Sequence, residues 1–252
     1  MARVGFLGTG QIAAAMVAGL AGQGHRIRVS QRNAAMAARL AATWPGVTIA
    51  PNDQVVAGSD IIILCLLAPE ARTALPGLPW RNDQAVISVM VDLPLAKLTP
   101  LVAPATRIAI AIPLPAIASG GCPLPVFPDS PALRALYGAA NRVLPQTSEA
   151  ALSAHFIATA LASVVLSQAR AGAEWLAART GDAQGAEAYV AAMLATALRD
   201  AGSGGLSAAL DALATEGGLN ITLRRRIEAA GVLSTLTQAM DALAPRLGLP
   251  PV

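Results

Sequence analysis

Apolar residues fall into two kinds of run along this chain, and the change between them divides it. In the first half, short β-like runs at residues 3–7, 26–30, 47–50, 61–66, 85–89 and 107–112 alternate with helical patterns. The segment 11–21 places Ile12, Met16 and Leu20 on one helical face, and 34–43 forms a second helix. The run Ile61-Ile62-Ile63-Leu64-Cys65-Leu66 is apolar without alternation, as a strand is when helices cover both sheet faces. Between residues 113 and 131 stand six prolines, which exclude a helix and predict an extended crossing. A helix at 131–141 and a strand at 142–145 complete this half. From residue 149 onward no strand is predicted. One long helix spans 149–179, followed by helices at 186–200, 206–214, 219–230 and 232–247, with Gly202-Ser203-Gly204-Gly205 as a break.

This β-α-β-α rhythm predicts a doubly wound, mostly parallel sheet of the Rossmann kind in residues 1–147. Residues 148–252 are expected to form an all-helical domain. The composition agrees. Hydrophobic residues are 54% and aromatics 3%, with alanine prominent, which suits closely packed helices better than a β-sandwich. A net charge of +3, with Arg224, Arg225 and Arg226 as the one basic run, argues against nucleic acid as partner. Residues 150–166 carry Ser153, His155, Thr159 and Ser163, and are expected to be a core helix rather than a membrane span. The two cysteines, Cys65 and Cys122, form neither a metal pattern nor a disulfide framework; a reducing cytoplasm fits them, and no metal is expected.

Gly8-Thr9-Gly10-Gln11-Ile12-Ala13 reads G-x-G-x-x-A between the first strand and the first helix. In that setting it predicts a dinucleotide site. Gly8 makes the turn, Gly10 lets the backbone approach a pyrophosphate, and Ala13 keeps helix and strand close. The helix start offers free N–H groups to phosphate. A carboxylate at the end of the second strand would serve the ribose hydroxyls of NAD, yet no Asp or Glu occurs before Asp53. Ser30, Gln31, Arg32 and Asn33 stand there instead, and a guanidinium suits a 2′-phosphate. The expected cofactor is therefore NADP(H), held by Gly8, Thr9, Gly10, Gln11, Ile12, Ser30, Arg32, Asn33, Leu66 and Leu67.

The catalytic side is sparser. The chain has one lysine, Lys97, in the first half, and none on the long helix, which disfavours lysine-assisted reduction of a ketone. A protonated imine accepts hydride without a strong enzyme acid. Thr215-Glu216-Gly217-Gly218-Leu219-Asn220-Ile221 puts two glycines before a helix, a geometry suited to a small anion. Gly217, Gly218, Leu219 and Asn220 are the expected substrate residues, with Asn220 also the candidate catalytic group. Met90, Val91 and Pro113 are expected beside the nicotinamide.

With these residues in view, the sequence resembles the pyrroline-5-carboxylate reductase family over nearly its whole length. Val4 to Ala13 is similar to that family's cofactor loop, Ser30 to Asn33 to its 2′-phosphate segment, and Ser59 to Leu66 to its fourth strand. Thr215 to Ile221, with Glu228 to Val232 beyond, is similar to its S-P-G-G-T-T substrate signature, although Leu219 and Asn220 replace the two threonines. The resemblance implies NADPH-linked reduction of a small cyclic imine and a homodimer through intertwined helical domains. Other acceptors, such as a ketone or a deazaflavin, and a non-catalytic NADP-binding sensor remain alternatives.

Overall fold

A computed structural model describes residues 1–250 and divides the chain into two compact units, 1–156 with 245–250, and 157–244. The sequence placed the boundary at 147. The structure continues the first unit into the next helix and returns the C-terminal segment to it.

The first unit is an eight-stranded sheet in the order β3-β2-β1-β4-β5-β6-β7-β8. Its strands are β1 (Arg3–Leu7), β2 (Arg26–Ser30), β3 (Val47–Ala50), β4 (Ile61–Leu64), β5 (Ala85–Ser88), β6 (Arg107–Ala111), β7 (Pro123–Phe127) and β8 (Arg142–Pro145). The first six are parallel; β7 runs antiparallel to β6 and parallel to β8. Successive side chains of a strand face opposite sides. Thus Ile63 joins one apolar cluster with Val4, Phe6 and Val29, while Ile62 and Leu64 join another with Leu7 and Val86. The helices α1 (Gln11–Leu20), α2 (Ala34–Thr43) and α6 (Pro131–Tyr137) contribute to the first cluster. The helices α3 (Asn52–Ala57), α4 (Ala68–Ala74) and α5 (Leu95–Leu98) contribute to the second. Both faces are covered, so the doubly wound sheet expected from the sequence is present.

The helical region comprises α7 (Glu149–Thr159), α8 (Leu161–Thr180), α9 (Ala183–Ala212), α10 (Leu219–Ala229) and α11 (Val232–Asp241). The unit boundary falls inside α7. Gly181, left-handed at φ +74°, ends α8, and Asp182 caps α9 by accepting the Gly185 N–H at 2.9 Å. The expected glycine break narrows to Gly205, whose φ of 85° and ψ of 161° kink α9.

Within the second unit α8 packs on α9 and α10 on α11, but the buried hydrophobics from 157 to 244 are Ile157, Ala173, Ala186, Ala201, Ile221 and Ala244. Large apolar side chains stand outside: Trp175 is 59% exposed, Tyr189 62% and Leu206 67%. The stretch Glu149–Thr180 has a mean hydropathy of 1.8 over its most apolar window and is long enough to cross a membrane by length and composition. Only 11% of that window is buried, so the expectation of a core helix is not met within one chain.

Candidate cofactor and substrate site

The glycine loop leaves the C-terminal end of β1, where β4 lies on one side of it and β2 on the other. Gly8 has φ +92°, and a Cβ there would stand 2.3 Å from the Cys65 carbonyl oxygen. Only glycine allows this approach to the end of β4. Gly10 is the N-cap of α1, extended at φ −84° and ψ −170°, and has no side chain to cap the first amides. A Cβ on Gly10 would meet nothing within 4 Å, and the first turn holds no acid. The amides at the start of α1 are thus left open to an anion. Ala13 is fully buried, consistent with close helix–strand packing.

Neighbouring side chains fix the loop. The Gly8 N–H donates to Ser30 Oγ at 2.9 Å, and Ser30 is buried. Asn33 caps α2 by accepting the Met36 N–H and donates Nδ2–H to the Thr9 carbonyl at 3.2 Å. The Thr9 hydroxyl is buried without a hydrogen-bond partner, an arrangement that a bound ligand would complete.

Around this loop lies a cavity of about 630 Å³, lined by Gly8, Thr9, Gly10, Arg32, Asn33, Leu66, Leu67, Cys65, Ala34 and Glu70. Seven of the ten expected cofactor residues are therefore brought together. The other three stand elsewhere: Ser30 supports the loop from within, Gln11 is exposed, and Ile12 packs on the first apolar cluster. Burial pushes the Cys65 thiol up to about 12, in keeping with an inert packing role.

Sequence reasoning missed Glu70. Arg32 Nη2 donates to Glu70 Oε1 at 2.5 Å, and this bond holds the Glu70 carboxyl below its usual range. The signal was present as Pro69-Glu70 after the fourth strand, but α4 is too short for apolar periodicity to reveal it.

The expected substrate residues divide between the two units. In the first, Met90 and Pro113 are buried after β5 and β6, and Val91 is 40% exposed. Asp92 follows, paired to Arg246 of the C-terminal segment through Nε–Oδ1 at 3.0 Å and Nη2–Oδ2 at 2.6 Å. Arg246 holds the Asp92 carboxyl below its usual range. A cavity of about 480 Å³ adjoins this tie, with Val91, Lys97, Glu149, Ser153 and Phe156 in its wall. Glu149 accepts the Leu95 N–H at 2.8 Å. Lys97 is exposed on α5, and His155 Nδ1 contacts the Ala151 carbonyl at 2.8 Å.

In the second unit, Gly217 turns at φ +73° and Gly218 is the N-cap of α10, again without a capping side chain. Leu219 and Asn220 are exposed in the first turn. The turn is braced by Arg225, whose Nη1 and Nη2 donate to the two Glu216 oxygens at 2.9 and 3.1 Å. Both glycine motifs, before α1 and before α10, therefore lead into a helix start with no capping side chain and no acid in its first turn. Among the described residues no cluster of His, Cys, Asp and Glu could hold a metal.

Comparison with known proteins agrees with this layout. Residues 3–92 match the family described as NADP oxidoreductase, coenzyme F420-dependent. A pyrroline-5-carboxylate reductase from Pseudomonas aeruginosa is 30% identical over 104 residues, a match spanning 38% of this chain and 37% of that enzyme. The crystal structures of 1-pyrroline-5-carboxylate reductase from Streptococcus pyogenes superpose with a TM-score of 0.84 at 19% identity, covering 98% of this chain and 99% of theirs. Pyrroline carboxylate reductase from Plasmodium falciparum, solved with NADP bound, gives 0.79 at 14% identity, covering 96% and 95%. The fold is that of the solved pyrroline-5-carboxylate reductases, and part of the chain matches one such enzyme in sequence.

Proposed function

We propose that this chain is a divergent relative of the pyrroline-5-carboxylate reductases and an NADP(H)-dependent reductase of a small cyclic imine. The observation that carries the reading is the cavity at the end of β1. Open amides of α1, an unpartnered Thr9 hydroxyl and the Arg32 guanidinium converge there on the space a phosphorylated dinucleotide needs. Bound there, NADPH supplies the hydride for a C=N carbon. The chain's own part is positioning. Gly8 and Gly10 shape the pyrophosphate contact, Arg32 faces the 2′-phosphate, and Met90, Val91 and Pro113 border the nicotinamide. Gly217 to Asn220 receive the substrate, with the open amides of α10 suited to a carboxylate and the Asn220 amide to a ring heteroatom. Because an iminium is already electrophilic, no strong acid is required. That accords with the solitary Lys97 on exposed α5 and with His155 engaged by its own helix.

The working unit in this reading is a homodimer in a reducing cytoplasm. The second unit buries little beyond alanine while leaving Trp175, Tyr189, Leu206 and Leu223 outside. Covering such side chains is worth about 1.5–3 kcal/mol each, and a second copy through the helical domain supplies the cover.

A second reading has one observation in its favour: the matching family is described as coenzyme F420-dependent, which makes a deazaflavin a candidate hydride partner. The deciding experiment follows NADPH oxidation by absorbance with cyclic imines, with and without a carboxylate, and in parallel with ketones and an oxidised deazaflavin. The proposal expects turnover of a cyclic imine, reduced at least tenfold by Asn220→Ala with unchanged folding. Turnover of the deazaflavin or a ketone alone selects the second reading, and binding of NADPH with no turnover of any acceptor contradicts both.

A further inference from the structure

Glu70 occupies the third position of α4, after the N-cap Leu67 and the residues Ala68 and Pro69. From there its carboxylate takes a backbone hydrogen bond from Leu67, one half of a capping box. The same carboxylate holds Arg32 at 2.5 Å, and both side chains line the cavity beside Gly8 and Gly10. The two partners are unequally anchored. The Glu70 side chain is 30% exposed and fixed by its helix, whereas that of Arg32 is 63% exposed. A 2′-phosphate reaching Arg32 therefore meets a carboxylate already in possession of one guanidinium nitrogen.

The end of β2 carries no acid for a ribose diol, but the fold brings one to the same place from the helix after β4. We propose that Glu70 determines cofactor specificity: its carboxylate competes with a 2′-phosphate for Arg32 and accepts a ribose hydroxyl when that phosphate is absent. The inference rests on the dinucleotide reading above and deepens it. The protein then accepts NADH alongside NADPH, in a ratio set by the Arg32–Glu70 pair rather than by Arg32 alone. A carboxylate is an acceptor only, so it favours a ribose hydroxyl and disfavours a phosphate.

Glutamine at position 70 keeps an acceptor for the helix start while removing the charge. Calorimetric titration of the full chain with NADPH, NADH, 2′,5′-ADP and 5′-ADP, in the unmodified protein, Glu70→Gln and Arg32→Ala, tests the inference. Removing one like charge near a partly exposed phosphate predicts that Glu70→Gln raises the NADPH:NADH affinity ratio roughly tenfold. The 2′,5′-ADP:5′-ADP ratio rises by a similar factor, and Arg32→Ala brings the two cofactors toward parity. An unchanged ratio in Glu70→Gln, or NADPH weakened by it, overturns the inference while leaving the dinucleotide site intact. Failure of the unmodified protein to bind any of the four nucleotides overturns the reading beneath it.

Discussion

Replacing Gly8 by alanine separates the architecture of the loop from its chemistry. The new Cβ would lie 2.3 Å from the Cys65 carbonyl oxygen and 2.7 Å from its carbon, both backbone atoms at the end of β4 that cannot swing aside. Relief requires the loop to withdraw by about an ångström, and overpacking of that kind costs about 1–3 kcal/mol. Alanine at φ +92° adds about 1–2 kcal/mol. The expected loss is therefore about 2–5 kcal/mol, a large share of a typical domain's stability. Gly10→Ala is the matching control, since its φ is ordinary and its Cβ meets nothing within 4 Å. It should change stability by no more than about 1 kcal/mol, the difference between glycine and alanine at an N-cap. Its methyl group nevertheless occupies the space assigned to the pyrophosphate. Urea denaturation with NADPH calorimetry reads both effects. Gly8→Ala should lose stability and affinity together; Gly10→Ala should keep its fold and lose at least about tenfold in affinity, the equivalent of one phosphate contact. Full stability in Gly8→Ala, or full affinity in Gly10→Ala, refutes the reasoning.

Other expectations follow from the same contacts. Ser30→Ala leaves the half-buried Gly8 N–H without its acceptor and should cost about 1 kcal/mol in denaturation, with weaker NADPH binding. At pH 8 a Cys65 thiol with a pKa of about 12 is only ~10⁻⁴ thiolate, so a thiol reagent should leave the native chain unmodified for hours and react rapidly once it is unfolded. Arg246 depresses the Asp92 pKa, so the tie of the C-terminal segment is complete above the ordinary aspartate value near 3.8 and is lost as pH falls through the lower folded value. Amide exchange of residues 244–250 should accelerate only in that acid range; acceleration between pH 5 and 7 would contradict the pairing.

The parallel half of the sheet was legible because buried parallel strands write themselves as unbroken apolar runs, Ile61 to Leu64 above all. Strand β7 was not, because Pro123 and Pro125 argue against any central strand. The structure resolves the conflict by placing the prolines where little is asked of their missing N–H groups. The β6–β7 ladder is confined to Ile110–Phe127 and Ala111–Val126, and Pro125 joins it through its carbonyl, which accepts the Ile112 N–H at 2.9 Å. Helices α3, α4 and α5 span six, seven and four residues, too few for a 3.6-residue period to emerge. The cofactor loop was readable because its signature, Gly8-Thr9-Gly10-Gln11-Ile12-Ala13, is contiguous in the chain and sits between a strand and a helix that are themselves legible. Glu70 and the Asp92–Arg246 pair were not, since both contacts join segments separated by 38 and 154 positions and no local pattern encodes them. Ser30 shows the converse: its position beside Arg32 suggested a ligand contact, whereas its hydroxyl faces inward to Gly8.

The central claim, that a phosphorylated dinucleotide rests on the start of α1, is tested most directly by a crystal structure of the protein with NADPH. The account predicts the pyrophosphate against the amides following Gly10, the Thr9 hydroxyl engaged, and the 2′-phosphate on Arg32. A cavity left empty at saturating NADPH, or a nucleotide bound elsewhere on the molecule, would contradict it.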